Sequence, residues 1–438
     1  MKNEVVVIGG GLAGCEAAYQ IAKEGIKVHL YEMKPIKYSP AHSNSDLAEI
    51  VCSNSFKSNA LTNACGLLKE ELRKMGSLLI QVADETAVPA GQALAVDREK
   101  FARRVTQIIK QEENITVVSK EITEIPQDKM VVIATGPLTS EALSQSIGKL
   151  TGKQDLYFYD AAAPLIEEDS IDKNIAFWGD RYGKGDSNYL NLPMNQVEYE
   201  AFYQALVEAD VVQLHTFEKR EIFEGCMPIE IMAKRGKDTL RFGPLKPVGF
   251  TDPRTGERPY ALVQLRQDNT AGTIFNMVGF QTNLKFGEQK RVFSMIPGLQ
   301  NAEFVKYGVM HRNTYLNAPQ LLNARYQLKN HPSLFFAGQM TGVEGYVESI
   351  SSGMVAGLNV VRQMRQEKPL ILPEETVIGA LAHYISAEKE KFQPMNANFG
   401  ILPPLPQKIR DKKVKYQAYA ERSLQRLEEM KKEESELF

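Results

Sequence analysis

The chain starts with an apolar segment, a glycine-rich stretch and a helical pattern, in that order. Residues 5–8 (VVVI) are continuously apolar, as expected for a strand buried on both faces of a parallel sheet. Small and apolar residues then follow helical spacing from Leu12 to about Glu24, and a second apolar strand pattern covers residues 28–31. This order of strand, helix and strand predicts a βαβ unit at the start of the chain.

Related patterns return later in the chain. Residues 129–138 (KMVVIATGPL) contain a buried strand that enters a Gly-Pro turn, and residues 333–364 contain a strand, a glycine-rich turn and a long helix. The intervening residues 161–324 are rich in aromatic residues, Gly, Pro and Asn, which is typical of a mixed α+β unit. We therefore predict an α/β, Rossmann-like domain built from residues 1–160 and 325–438, with an inserted α+β domain at residues 161–324.

The end of the chain predicts a C-terminal helical segment. Residues 409–438 are mostly charged, and the charges are interpreted as a solvated face rather than a binding stripe. A proline-rich connector (ILPPLP, residues 401–406) precedes this segment. We predict that five apolar side chains of the helix pack on the body of the protein: Val414, Tyr416, Tyr419, Leu424 and Leu427.

The glycine-rich stretch after the first strand has the spacing G-x-G-x-x-G. Gly9 permits a tight turn, Gly11 lets a pyrophosphate approach the backbone, and Gly14 lets the helix and strand pack closely. An acid follows about twenty residues later, at the end of the second strand, where it can bind ribose hydroxyls. The predicted dinucleotide-binding residues are Gly9, Gly10, Gly11, Leu12, Ala13, Gly14 and Glu32.

The glycine spacing alone does not separate FAD from NAD. A second glycine-rich helix start, within residues 333–364, favours a long cofactor with two ends, because such a cofactor needs a second binding segment. The same segment is also compatible with a strand–helix unit that only closes the sheet. The further predicted cofactor-binding residues are Gly136, Gly338, Gln339, Val343, Glu344 and Gly345.

Composition restricts the remaining possibilities. At 438 residues the chain is long enough for two globular units, and its net charge of −2 gives no overall basic character, so a polyanionic partner would need a local basic surface. Four widely spaced cysteines predict neither a disulfide framework nor a metal site. We find no signal peptide and no apolar run of about eighteen residues, which predicts a cytoplasmic protein without a membrane partner.

Six segments closely resemble the folate- and FAD-dependent tRNA (uracil-5-)-methyltransferases of bacteria, over nearly the full chain. The segments are VVVIGGGLAGCEAA (5–18), EIVCSNSFKSN (49–59), GQALAVDREKFA (91–102), FEGCMPIE (223–230), LRFGPLKPVGF (240–250) and FFAGQMTGVEGYVESISSG (335–353). The segments that contain cysteine are more specific than the glycine spacing, which many flavoproteins share. A more distant similarity is to the FAD protein that takes part in modifying the tRNA wobble uridine.

This resemblance implies a reaction and its cofactors. Methylenetetrahydrofolate would donate a one-carbon unit to C5 of the T-loop uridine, uridine 54, and reduced FAD would carry and reduce it. NAD(P)H would reset the flavin. The implied macromolecular partner is the T-arm of tRNA, and we expect no obligate protein partner and no metal. The resemblance also implies that Cys226 and Cys52 are the two functional cysteines, with Cys226 as the nucleophile.

Thiolate addition at C6 of uracil gives C5 the nucleophilic character that the reaction needs. A nearby cation should stabilise the thiolate, whereas Glu224 and Glu230 would raise the pKa of Cys226 if they faced the sulfur. Lys234, Arg235 or charges brought close by folding must then offset them. Without the resemblance, Cys226 would be interpreted as a buried, inert cysteine.

Two interpretations of Cys52 stay open. In the first, Cys52 lies near the flavin, where it protects the Cys226 adduct, relays to it or removes the C5 proton. In the second, Cys52 is a core cysteine at a strand end. Cys15, within the first helix, and Cys65, at the start of an amphipathic helix, are predicted to be packing residues.

The folded T-loop requires that the enzyme extrude its target base and hold the surrounding phosphates. The candidate RNA-binding residues form a basic run close to Cys226 in sequence: Lys234, Arg235, Lys237, Arg241 and Lys246. Each of these alone is typical of a solvated surface charge. Two alternatives stay open, namely a wobble-uridine modifier or flavin oxidase, and an RNA-binding protein with a structural flavin.

Overall fold

The computed structural model describes residues 4–152, 156–161, 163–180, 188–212, 227–308, 310–388 and 392–433. Cys226 and Glu224 lie outside the described residues. The strands are β1 (Glu4–Ile8), β2 (Lys27–Glu32), β3 (Ser55–Ser58), β4 (Ala87–Val88), β5 (Ala93–Val96), β6 (Ile115–Ser119), β7 (Met130–Ile133), β8 (Leu156–Ala161), β9 (Leu165–Glu167), β10 (Phe177–Trp178), β11 (Tyr189–Met194), β12 (Ala261–Gln267), β13 (Ile274–Met277), β14 (Phe304–Lys306), β15 (Met310–Tyr315) and β16 (Leu334–Phe336).

The α-helices in these ranges vary from one turn to six turns in length. They are α1 (Leu12–Ala22), α2 (Ala64–Lys74), α3 (Leu78–Glu85), α4 (Arg98–Gln111), α5 (Glu141–Thr151), α6 (Gln196–Glu208), α7 (Ile229–Lys234), α8 (Thr239–Phe242), α9 (Phe286–Phe293), α10 (Ala318–Leu321), α11 (Tyr346–Met364), α12 (Val377–Ser386) and α13 (Lys412–Glu433).

A five-stranded parallel sheet contains strands from both segments of the predicted nucleotide domain, residues 1–160 and residues 325–438. Its strand order is β16-β7-β1-β2-β6, so a strand from late in the chain pairs beside strands from its first third. Val5 pairs with Val28 on one side and with Met130 on the other. The apolar runs seen in the sequence are these buried strands. The predicted α/β, Rossmann-like fold class is confirmed.

Helices α1 and α11 pack closely on this sheet because both present small residues to each other. A Cβ added to Gly353 would lie 2.3 Å from the carbonyl oxygen of Ala13, and one added to Gly357 would lie 3.0 Å from that of Ala17. These distances leave no room for larger side chains. The small face of the long helix is therefore a packing surface that holds the two glycine-rich segments side by side.

A six-stranded sheet lies within residues 165–306 and has its own hydrophobic cluster. Its order is β10-β11-β12-β13-β9-β14, and the neighbouring strands are antiparallel. Strands β8 and β15, which come directly before and after this sheet in the chain, pair with each other in antiparallel orientation. The mixed composition of this region agrees with an α+β unit, and the domain limits at residues 160 and 324 stay a prediction.

The C-terminal helix α13 packs on the body through Tyr419 and Leu427, which are buried, and Tyr416 stacks on the ring of Phe399 at 4.5 Å between centroids. The prediction that Val414 also packs there is wrong, because its side chain is 55% exposed. Two residues along an α-helix correspond to a rotation of about 200°, so Val414 faces away from the side on which Tyr416 packs. Among the helices described, none combines the length and apolar character that a membrane span requires.

Candidate active site

The first glycine turn (residues 9–14) is shaped by close backbone contacts. Gly9 has φ = +103°, and a Cβ added to Gly14 would lie 1.8 Å from the carbonyl oxygen of Gly9. By contrast, no atom lies within 4 Å of a Cβ added to Gly11, which precedes α1 and gives it no side-chain cap. The turn therefore presents an open backbone face and the N–H groups of a helix start, which suits a phosphate group.

Glu32 is fixed at the end of β2 by hydrogen bonds from the backbone. Its Oε2 accepts a hydrogen bond from the N–H of Gly10 at 2.7 Å, and its Oε1 accepts one from the N–H of Lys34 at 3.0 Å. These bonds hold the carboxylate beside the first glycine turn. Each carboxylate oxygen retains a lone pair for a ribose hydroxyl.

A cleft with about 650 Å³ of empty space opens at the carboxyl ends of β1, β2 and β7. Ligands of open α/β sheets bind at this edge. Gly9, Gly10, Gly11 and Glu32 line the cleft, together with Thr135 and Thr139 from the turn after β7. Gly136 shapes that turn with φ = +68°, and Leu12 and Ala13 belong to the helix start that packs against α11.

A buried ion pair forms one wall of the same cleft. The Lys34 ammonium lies 3.2 Å from Glu49 Oε2, and both side chains are at most 8% exposed. Burial acts to raise the pKa of Glu49, but hydrogen bonds from Ser43 and the Lys34 charge hold that pKa below its usual range. Burial lowers the pKa of His42, with a further contribution from Lys34, so the imidazole is neutral at pH 7.

The second glycine turn (residues 338–345) lies against the first. A Cβ added to Gly338 would lie 3.2 Å from the Cβ of Ala13, and the Gly338 N–H donates to Ser352 Oγ at 2.7 Å. Gly338 has φ = +83° and Gly345 has φ = +128°, and the Gln339 amide donates to Glu344 Oε1 at 2.6 Å. Val343 is fully buried. Folding therefore brings the two predicted cofactor segments together at one edge of the sheet.

The Cys52 segment (residues 50–54) is bonded directly to the helix that follows the second glycine turn. The hydroxyl of Tyr346, the first residue of α11, accepts hydrogen bonds from the N–H of Cys52 at 2.9 Å and from the N–H of Ser53 at 3.1 Å. Burial raises the pKa of Tyr346, so its phenol is neutral at pH 7. Cys52 is half-buried, whereas Cys15 and Cys65 are buried. These contacts join the backbone at Cys52 to the side chain of the residue that directly follows the second glycine turn.

The six-stranded sheet contacts the same segment through Arg266. Its Nη2 donates to Ser53 Oγ at 2.7 Å and its Nε donates to Asn54 Oδ1 at 2.9 Å. A further cation from this unit, Lys306, has its pKa lowered by burial and by Arg98, while a charged Cys52 would act to raise it. Cationic side chains from residues 261–306 are therefore close to Cys52.

The residues that follow Cys226 are well packed. Met227 and Ile229 are buried, and Glu230 is 1% exposed. Glu230 accepts hydrogen bonds from Thr282 Oγ1 at 2.9 Å and from the N–H of Asn283 at 2.8 Å, and burial raises its pKa. The described contacts of this carboxylate are thus with residues 282–283. Cys226 itself lies outside the described residues.

The candidate RNA-binding residues fall into different groups. Lys237 forms an ion pair with Glu200 at 2.6 Å, and Arg241 forms one with Asp238 at 2.5 Å while stacking on the ring of Tyr260. In the described parts of the chain, the ammonium groups of Lys234 and Lys246 have no hydrogen bond or ion pair. Lys234 and Arg235 are exposed, and Lys246 is half-buried.

Two residues of this site, Tyr346 and Arg266, were not predicted from the sequence. A sequence signal exists for each, because Tyr346 directly follows a glycine at a helix start and Arg266 is a charged residue in the otherwise apolar strand β12 (ALVQLRQ). Neither signal identifies a partner. The fold and the cleft together define an α/β protein with a dinucleotide site of the flavoprotein type.

Comparison with known proteins identifies the family. Residues 4–368 match the family described as Glucose inhibited division protein A. A protein of Enterococcus faecalis named methylenetetrahydrofolate--tRNA-(uracil-5-)-methyltransferase TrmFO is 58% identical and covers 97% of this chain and 98% of its own. A protein of the same name from Natranaerobius thermophilus is 60% identical, with the same coverage of both chains. The chain belongs to the glucose inhibited division protein A family and, within it, to the group of these TrmFO proteins.

A solved structure supports the fold assignment. The structure of Aquifex aeolicus GidA in the form II crystal has a TM-score of 0.70 to this chain at 17% sequence identity. It covers 97% of this chain and 73% of the GidA chain. At this identity the likeness is evidence for a shared fold only. The resemblance drawn from the sequence motifs is confirmed by the close relatives.

Proposed function

We propose that this protein is a methylenetetrahydrofolate-dependent tRNA (uracil-5-)-methyltransferase that uses FAD and methylates uridine 54 in the T-arm. The observation that carries this proposal is the pair of hydrogen bonds from the backbone N–H groups of Cys52 and Ser53 to the hydroxyl of Tyr346, at the start of the helix that follows the second glycine turn. Near-full-length identity to proteins with this name supports the same activity. NAD(P)H is the proposed source of reducing equivalents.

The residues at the sheet edge fit FAD. The open face at Gly11, the uncapped start of α1 and the fixed Glu32 carboxylate suit the pyrophosphate and the ribose, and residues 338–345 suit the other end of the cofactor. When bound, FAD would supply the reducing equivalents that convert a transferred methylene group into a methyl group. Lys34 and Glu49 would form the wall beside the adenosine end.

The protein's own part in the reaction is to make C5 of uracil nucleophilic. The Cys226 thiolate forms a bond to C6, and the electrons of the C5–C6 double bond move into the adjacent C4 carbonyl as an enolate. C5 then forms a bond to the methylene carbon of the folate, and the electron pair of a carbon–nitrogen bond moves to the folate nitrogen. A base removes the C5 proton, and the remaining bond between this carbon and the folate nitrogen breaks, which leaves an exocyclic methylene group on C5. A hydride equivalent added to that group gives the methyl group, and breakage of the S–C6 bond restores the C5–C6 double bond and releases the thiolate.

Cys52 is the proposed partner of Cys226 in these proton transfers or in protection of the thiol. Its backbone N–H is held by Tyr346, and the raised pKa of the half-buried Tyr346 phenol keeps that group neutral at pH 7. In the resting protein the phenol therefore acts as a neutral hydrogen-bond acceptor for the Cys52 segment. Lys234, Arg235 and Lys246 are the proposed contacts to T-arm phosphates.

The activity can be tested with purified protein, tRNA that lacks the T-loop methylation, methylenetetrahydrofolate carrying a labelled methylene group, and NAD(P)H. We expect label in 5-methyluridine at position 54 and none in the anticodon. The site is read by nuclease digestion followed by mass spectrometry of the fragments. Label at the wobble uridine would favour the alternative modification, and a flavin that turns over without labelling tRNA would contradict the proposal.

A further inference from the structure

Arg266 holds the two residues that directly follow Cys52. We propose that Arg266 is a positioning residue for Cys52, fixing the cysteine-bearing turn beside the second glycine turn from the side of the six-stranded sheet. This inference rests on the proposed function, because it deepens the role of Cys52 in that reaction. It assigns to the inserted unit a part in shaping a cysteine that belongs to the nucleotide-binding unit.

The contacts of Arg266 are specific. Two different guanidinium nitrogens bind two different side chains, Ser53 at 2.7 Å and Asn54 at 2.9 Å. Asn54 is fully buried and also donates to the carbonyl oxygens of Val96 at 3.1 Å and Gln267 at 3.0 Å. A lysine could supply the charge but not two donors with this fixed spacing. The turn after Cys52 is therefore held through a planar, two-point contact.

Burial of the Arg266 side chain does not favour folding by itself. It is 6% exposed, and its neighbours Leu265 and Val263 on β12 are fully buried. Removing a guanidinium from water costs free energy that hydrogen bonds only partly return, and an apolar residue is usually at least as stabilising at such a site. Burial also lowers the pKa of Arg266, although the group stays charged. A positioning role gives a reason for a charge at this place.

The contacts of Arg266 and Tyr346 are complementary. Tyr346 accepts the backbone N–H groups of Cys52 and Ser53, while Arg266 binds the side chains of Ser53 and Asn54. The carbonyl oxygen of Ile50 is held separately by Arg98, which is bound to Asp268 at 2.8 Å. Loss of Arg266 would remove the donors to Ser53 Oγ and Asn54 Oδ1, while the Asn54 amide would keep its bonds to the Val96 and Gln267 carbonyl oxygens. The contact between Arg98 and Ile50 would also stay in place.

The test compares Arg266→Lys and Arg266→Gln with the wild-type holoenzyme. The matched control is Arg254→Gln, which removes an arginine of the same unit that is bound to Asp252 at 2.7 Å. The direct readout is the rate of Cys52 alkylation by iodoacetamide from pH 6 to 10, followed on the Cys52 peptide by mass spectrometry. We expect a several-fold change in rate and a displaced pH profile in both Arg266 variants and neither change in the control.

The kinetic readout separates positioning from binding. We expect kcat for methyl transfer to fall by about 100-fold in Arg266→Gln, because a small misplacement of a reacting group has effects of this size. The KM for folate and the flavin content should change little. Arg266→Lys should retain part of the rate but not the wild-type value, since it keeps the charge and loses the fixed spacing.

Two outcomes would overturn the inference. One is wild-type alkylation and kcat in the Arg266 variants, and the other is lower stability with both readouts unchanged per folded molecule. Should the Arg266 variants not fold, Ser53→Ala removes one of the two contacts and must show the same change in alkylation, at smaller size, for the inference to stand. Alkylation of Cys52 needs neither tRNA nor folate. A failure of the proposed methyl transfer in the wild type can therefore be distinguished from a failure of the inference about Arg266.

Discussion

The first glycine turn and the Cys52 segment lie at the same edge of the sheet but are held by different means. The glycine turn is shaped by close backbone packing, as between Gly9 and Gly14, and its side-chain partner Glu32 lies within the same βαβ unit. The Cys52 segment is held by side chains that are distant in sequence: Tyr346 lies 294 positions after Cys52, and Arg266 lies 213 positions after Ser53. A local backbone site can thus be found from residue spacing, whereas a site built by distant side chains requires the fold.

We expect the largest effect on flavin binding and stability when a side chain is added to the first glycine turn. In Gly14→Ala the new Cβ would overlap the Gly9 carbonyl oxygen at 1.8 Å, so the strand and helix must move apart. We expect loss of bound flavin and destabilisation of about 4 kcal/mol or more. Flavin absorbance per protein and urea unfolding measure these effects. Gly287→Ala, where no atom lies within 4 Å of the new Cβ, is the matched control and should keep flavin and stability.

A second prediction concerns a buried carboxyl group that joins distant helices. Glu71 accepts hydrogen bonds from Ser423 Oγ at 2.5 Å and from the N–H groups of Val377 and Ile378, and burial raises its pKa from 4.5 to about 7. The folded state binds this proton more tightly than the unfolded state. Stability should therefore fall as pH rises from about 4.5 to about 7, by an amount on the order of 3 kcal/mol.

Glu71→Gln removes this titration. We expect the difference in unfolding free energy between pH 5 and pH 8 to be smaller in Glu71→Gln than in the wild type. Glu70→Gln is the control, because Glu70 is partly exposed in its ion pair with Arg73 and should leave the pH dependence unchanged. A wild-type pH dependence in Glu71→Gln would show that another group is responsible.

Removal of the Tyr346 hydroxyl should have a smaller effect on stability and a clear one on activity. Tyr346→Phe leaves the N–H groups of Cys52 and Ser53 without their acceptor, which costs about 1–3 kcal/mol. Methyl transfer should fall while flavin stays bound. The control is Tyr203→Phe, which removes one hydrogen bond to the Ala233 carbonyl oxygen and should leave kcat unchanged. Equal kcat in both variants would contradict the importance of the Tyr346 contact.

The smallest effect is expected for single basic residues. Lys246→Ala should weaken tRNA binding modestly and reduce the slope of log K against log salt by about 1, as for one phosphate contact. Arg241→Ala should instead lower stability, because Arg241 is bound to Asp238 and stacks on Tyr260. Binding measured at several salt concentrations, together with unfolding curves, separates the two. A loss of stability in Lys246→Ala, together with weaker tRNA binding in Arg241→Ala at unchanged stability, would contradict this assignment.

The sequence predicted four strands of the parallel sheet (β1, β2, β7 and β16), the first helix and both glycine turns, because these depend on local patterns. It also predicted that Cys15 and Cys65 are buried. It did not reveal that Lys237 and Arg241 are engaged in ion pairs, since Glu200 and Tyr260 come close only in the folded chain. Nor did it reveal Arg266, because an arginine in an apolar strand indicates a buried partner without naming one. The prediction for Val414 was wrong because the sequence does not show which face of helix α13 packs on the rest of the protein.

The central claim is that a thiol and a dinucleotide site act together on a tRNA uridine. The most direct measurement is transfer of labelled methylene carbon to tRNA by Cys226→Ala, with Cys65→Ala as the control at a buried cysteine and with flavin content measured in both. The account predicts full flavin content and no labelled 5-methyluridine in Cys226→Ala, and substantial labelling in Cys65→Ala. Wild-type labelling by Cys226→Ala would contradict it.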